Sequence, residues 1–221
     1  MHAHPITACA LSLLALGLVA PHANAQAMRF EIDRERSSVY AVTGRAGALG
    51  FLGHDHAILA TEWSGRLCYA QDDPAASSIQ VTVPTRALVL DTDAAMEASG
   101  LSSRPGTDTR QDLQSQMLGP AFLDAVAYPE ISFTSHAVTP GEDGELMVDG
   151  AFTLHGEARD ARVPVRVSRN VDGTWRFRAS LTTHMTEHGI EPESTLGVID
   201  VADAFDVFVE IVARAEGEAC G

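Results

Sequence analysis

The chain has 221 residues and a formal net charge of −15, with 15 basic against 30 acidic side chains. A field of that sign repels phosphate backbones, which argues against nucleic acid and anionic membrane surfaces as partners. The length suits one larger all-β domain once an N-terminal leader is removed.

That leader is the first element. Ile6 to Ala20 is almost unbroken apolar sequence, followed by Pro21, His22 and the small-residue site Ala23-Asn24-Ala25. The run is shorter than the ~20 apolar residues of a spanning helix. Small residues at −3 and −1 fit signal-peptidase cleavage before Gln26. Residues 1–25 are thus expected to be a signal peptide and 26–221 the mature domain, periplasmic or secreted, with no membrane span. The basic n-region is missing; His2 and His4 stand in its place. Cys9 falls inside the leader, leaving Cys68 and Cys220, which an oxidising compartment favours as a pair. Whether their Cα atoms come within bridging reach is not decided by sequence.

Along the mature chain the dominant period is two. Phe30 and Ile32 alternate with Glu31 and Asp33; Ile79, Val81 and Val83 with Gln80 and Thr82; Ile131 and Phe133 with Ser132 and Thr134. The same holds for Val163, Val165 and Val167, for Phe177, Ala179 and Leu181, and for Val207, Val209 and Ile211. Such alternation puts one residue set on a dry face and the other in water. Asp72-Asp73-Pro74, Pro140 to Gly144 and Asn170 to Gly173 supply turn chemistry between runs. The expected fold class is all-β, an antiparallel meander closed as a barrel or packed as a sandwich.

One stretch departs from the period. Residues 93–109 are small and polar and read as a long loop. Thr109 to Leu118 has helical spacing and stops at Gly119. Pro120 can start a second helical turn through Phe122, Leu123 and Val126, ended by Tyr128-Pro129.

Several segments together resemble a known family. They are Phe30-Glu31-Ile32-Asp33, Ser37-Ser38-Val39, Phe122-Leu123-Asp124, Tyr128 to Phe133, Val148 to Gly156, Gly189-Ile190 and the last strand from Phe205 to Ala213. In order and spacing they resemble the YceI-like family of bacterial envelope proteins, over nearly the whole mature chain. The resemblance implies a lipocalin-like antiparallel barrel with an inserted short helical segment, whose apolar interior holds an isoprenoid or similar amphipathic lipid. One segment departs from the family pattern. The usual Arg-Ser-Asp-Phe-Gly-Ile is here Met185-Thr186-Glu187-His188-Gly189-Ile190, with a histidine in place of the aromatic.

Three functional readings follow. The first is a binding protein whose lipid lies against Val81, Val83, Phe133, Phe152, Phe177 and Val209, with His54, His56 and His188 at the mouth. The second is a metalloprotein. His54 and His56 stand at i and i+2, so on a strand both imidazoles face one way and can share a divalent metal. A third ligand would come from His184, Glu187 or His188. The third is an interaction protein with a filled barrel, holding neither lipid nor metal. His136 and His155 read as histidines satisfied at strand ends. No nucleophile elbow, phosphate loop or paired catalytic carboxylates stand out, so a binding protein is expected rather than an enzyme. A homodimer is left open.

Overall fold

A computed structural model describes residues 26–46, 54–192, 194–195 and 199–220. The leader lies outside the described residues. Eleven strands follow: β1 (Met28–Ala46), β2 (His56–Ala60), β3 (Ser64–Tyr69), β4 (Ser78–Pro84), β5 (Leu88–Leu90), β6 (Glu130–Pro140), β7 (Leu146–Leu154), β8 (Glu157–Arg169), β9 (Trp175–His184), β10 (Ser194–Thr195) and β11 (Ile199–Ala219). Two helices, α1 (Asp93–Ser99) and α2 (Thr107–Leu118), stand between β5 and β6.

Strands β1, β3, β4, β6, β7, β8, β9 and β11 pair in a ring, and the β1–β11 ladder closes it. This is a closed eight-strand antiparallel barrel of lipocalin-like form, with the helical insert as expected. Closure removes the free edges an open sheet would expose. The inward residues are the alternating apolar ones. On β9, Phe177 is buried and Ala179 and Leu181 half-buried, while Arg178, Ser180 and Thr182 face water.

Two ring positions are each made by a strand broken halfway. β1 pairs with β3 at Met28–Phe30 and with β2 at Tyr40–Thr43. After Pro84 the chain leaves β4, makes one turn through Thr85–Ala87 and resumes as β5 against β2. Above that break β5 pairs with β2 alone, and α2 covers its other edge. Gln114 accepts the Leu90 N–H at 2.7 Å and donates to the Leu88 carbonyl at 2.8 Å. One side-chain amide thereby satisfies both backbone groups that a neighbouring strand would have satisfied.

The long loop expected over 93–109 is a correction. Its first part is α1, capped by the Thr92 hydroxyl, which accepts the Ala95 N–H, and ended by Gly100 at φ 72°. Helix α2 begins at Thr107, two residues before the expected start. The second helical turn expected from Pro120 to Val126 is instead a series of tight turns. Asp124 sits there at φ 40° and accepts the Ala127 N–H.

One barrel end is shut by aromatic side chains. Phe30, Tyr69, Trp175 and Phe177 meet edge to face, with Phe30–Phe177 centroids 5.8 Å apart and Tyr69–Trp175 centroids 5.4 Å apart. Burial pushes the Tyr69 phenol pKa up, with Asp72 adding to it. Beneath the cluster, Cys68 and Cys220 form a disulfide with a Cα–Cα distance of 6.1 Å, which decides a pairing that the sequence left open.

Candidate functional site

The other end of the barrel leads into a cavity of about 170 Å³. Its wall is apolar carbon from all round the ring: Val39 and Ala41 on β1, Val81 and Val83 on β4, Phe152 and Leu154 on β7, Val207 and Val209 on β11. Met117, Phe122 and Leu123, from α2 and the turns after it, close the side where β5 has left the ring. An apolar cavity of this order stays dry and takes apolar guests, because a water inside would find no hydrogen-bond partners.

One glycine shapes the wall. Phe133 lies across Gly150, where an added Cβ would stand 2.5 Å from its ring. The aromatic ring can lie flat only because its neighbour on β7 has no side chain.

Of the residues expected against the ligand, Val81, Val83, Phe133, Phe152 and Val209 line this cavity. Phe177 does not. It points inward, but at the closed end, in the aromatic cluster. His188 is not on the wall either. It is fully buried, with Nδ1 donating to the Glu157 carbonyl at 3.1 Å and Nε2 3.3 Å from the Thr183 hydroxyl. Edge to face against Phe152, it supports the wall from behind, so the position where the family carries an aromatic is still spent on packing. Wall residues that the alternation did not single out include Ile58 on β2, Met185 and Ile190 after β9 and, from the insert, Met117, Phe122 and Leu123. The signal for the insert residues was the apolar spacing of the helical excursion, which carries no direction until the insert is docked.

The rim is polar. The Asp203 carboxylate accepts the Thr186 N–H at 2.9 Å and the Thr186 hydroxyl at 2.8 Å, and the backbone bond first of all holds its pKa below the usual range. Arg159 donates from Nε to the Glu187 carbonyl at 2.7 Å. Two strands along the rim, across β1, His56 Nδ1 lies 2.7 Å from Asp91 Oδ2. Asp91 is fully buried and takes φ 49°, a conformation an L-residue holds only where its surroundings demand it. Oδ1 accepts the Ala57 N–H at 2.8 Å, and Arg104 and Arg110 both donate to its carbonyl at 3.3 Å.

The two histidines expected to share a metal have separate partners. His54 lies before β2, with Nδ1 3.2 Å from the Ser103 hydroxyl, while His56 is held by Asp91. His184 pairs with Glu187 at 3.4 Å. Among the described residues, no group of three or more His, Cys, Asp or Glu gathers around a point. His155 is a turn residue at φ 52°, its Nδ1 3.2 Å from the His188 carbonyl and its ring against Tyr128. His136 is exposed where the β6–β7 ladder slips between Ser135 and Ala137.

The sequence matches the model of the YceI-like domain over residues 30–213. The chain belongs to the YceI-like family. Three solved structures share the fold of this YceI-like chain. Burkholderia cenocepacia BcnA has 20% identity and a TM-score of 0.65, covering 83% of this chain and 100% of its own. A polyisoprenoid-binding domain from Saccharophagus degradans has 14% identity and a TM-score of 0.51, covering 86% and 99%. The Campylobacter jejuni YCEI protein has 15% identity and a TM-score of 0.50, covering 73% and 85%. No curated protein matches the sequence. No helix among the described residues is long and apolar enough to cross a membrane.

Proposed function

We propose that this YceI-like chain is an exported binding protein that carries an isoprenoid or similar amphipathic lipid in its barrel. The apolar cavity, shut at one end and open at a polar rim, carries the reading. Burying each methylene of a tail is worth roughly 0.8 kcal/mol. Tail length thus dominates affinity, while rim contacts select the head. The Saccharophagus degradans domain, which binds polyisoprenoid, supports the choice of lipid. Export rests on the apolar leader and its Ala23-Asn24-Ala25 site, and the Cys68–Cys220 bridge is in keeping with an oxidising compartment. The cavity wall among the described residues comes from one chain, and the reading does not depend on the homodimer that the sequence leaves open.

Extraction of the purified protein into organic solvent, followed by mass spectrometry, tests the reading. A stoichiometric isoprenoid-type lipid is the expected result. Repeated extracts without lipid, together with no uptake of added prenols, would sink it in favour of a filled barrel.

A further inference from the structure

His56 faces the inside of the barrel. It is the cross-strand partner of Thr43, and the next pair down on the same side is Ala41 with Ile58. Thr43, Ala41 and Ile58 all line the cavity, so the imidazole stands directly above the wall. Its side chain is 17% exposed, while that of Asp91 is 0% exposed.

The carboxylate sets the tautomer. Asp91 Oδ1 is occupied by the Ala57 N–H, and Oδ2, 2.7 Å from Nδ1, accepts the imidazole proton. In a neutral imidazole whose Nδ1 is the donor, the lone pair sits on Nε2. Among the described residues nothing bonds to Nε2. Asp91 cannot swing away, since it is buried, held at φ 49° and tied through its carbonyl to Arg104 and Arg110. The cavity therefore has, at its open end, a fixed hydrogen-bond acceptor with no partner among the described residues.

We infer that His56, positioned by Asp91, receives the head group of the bound lipid, and that this head group is a hydroxyl. The inference rests on the lipid reading above and names the chemistry at the mouth. A hydroxyl supplies the proton that Nε2 lacks. An ether of the same tail offers only oxygen lone pairs and leaves the imidazole unsatisfied. The aromatic end is shut, so a lipid enters by the other end and its head lies at the rim.

The test compares geranylgeraniol with its methyl ether in binding titrations on the full chain, with EDTA present throughout. Wild type is expected to favour the alcohol about tenfold, the worth of one hydrogen bond. His56→Leu is expected to bind both equally. Asp91→Asn keeps an acceptor for the Ala57 N–H but turns its amide donor toward Nδ1, which moves the imidazole proton to Nε2. The alcohol preference is then expected to collapse to about one while the ether binds at least as well as before, a pattern that a merely structural Asp91 would not produce. Should Asp91→Asn not fold, wild type and His56→Leu decide the matter. Equal binding of both probes by wild type, or an unchanged preference in His56→Leu, overturns the head-group inference and leaves the lipid reading standing. Binding of neither probe overturns both.

Discussion

At the scale of single residues, the barrel depends on what is absent as much as on what is present. Gly150 leaves the space that Phe133 fills, so Gly150→Ala must displace a ring that forms part of the cavity wall. Overpacking of this kind costs about 1–3 kcal/mol. A urea titration is expected to show that loss with an unchanged slope; a shift under about 0.5 kcal/mol, within the range of ordinary surface substitutions, would mean that both the Phe133 ring and the Thr134 carbonyl, 2.7 Å from the added Cβ, give way freely. Asp172 makes a second prediction, in pH. Hydrogen bonds from the Thr174 hydroxyl and N–H, then Arg36, bring its pKa down from 3.8 to about 2. A carboxyl with a lowered folded-state pKa adds stability above its unfolded pKa and loses it as pH falls through the folded one. Asp172→Asn should therefore be the less stable protein above about pH 4. Acid titration should show the two curves converging between pH 3.8 and about 2. Curves that stay parallel would remove Asp172 from the acid response.

Among elements, the insert between β5 and β6 does the most to turn a barrel into a container. Helix α2 is polar in sequence, and Met117 is its one buried residue. Its hold comes instead from the Gln114 amide on the edge of β5 and from the apolar turns that follow. Gln114→Ala leaves the Leu90 N–H and Leu88 carbonyl without partners, at a cost of about 1–3 kcal/mol. Hydrogen exchange at Leu90 should speed up by at least about tenfold, with β7 and β8 amides unchanged. Protection at Leu90 equal to wild type would mean that the edge is held by something else. Helix α1 has a different logic. It is short, and Ala95, its buried residue, is fully covered where the helix packs against β1 and β2. Contacts between small side chains leave little apolar period in the sequence. Thr92 and Gly100 mark the two ends of α1, yet without such a period their signals read as loop chemistry.

For the whole molecule, the disulfide joins β3 to the C-terminal end across 152 residues, just below the shut aromatic end. Cross-linking so long a loop removes chain entropy from the unfolded state worth about 5 kcal/mol on the loop-closure model. Reduction should lower the guanidinium midpoint well below that of the oxidised protein. A midpoint that moves by less than the equivalent of about 1 kcal/mol would show that the barrel ladder alone holds the C-terminal strand.

Sequence alone settled the period-two strands, the turns between them and the presence of a helical insert, because each is a local property of backbone and side chain. It also chose Val81, Val83, Phe133, Phe152 and Val209, since alternation assigns a residue to the inner face wherever that face is. Depth along the barrel axis was beyond it. Phe177 and Val209 share a face, yet one packs in the shut end and the other lines the cavity. Partnership was beyond it too. His54 and His56 look equivalent at i and i+2, but only His56 meets Asp91, 35 residues further along the chain. Ladder closure, the broken strand at Pro84 and the docking of α2 bring those groups together, and none of these is written in any local stretch of the chain.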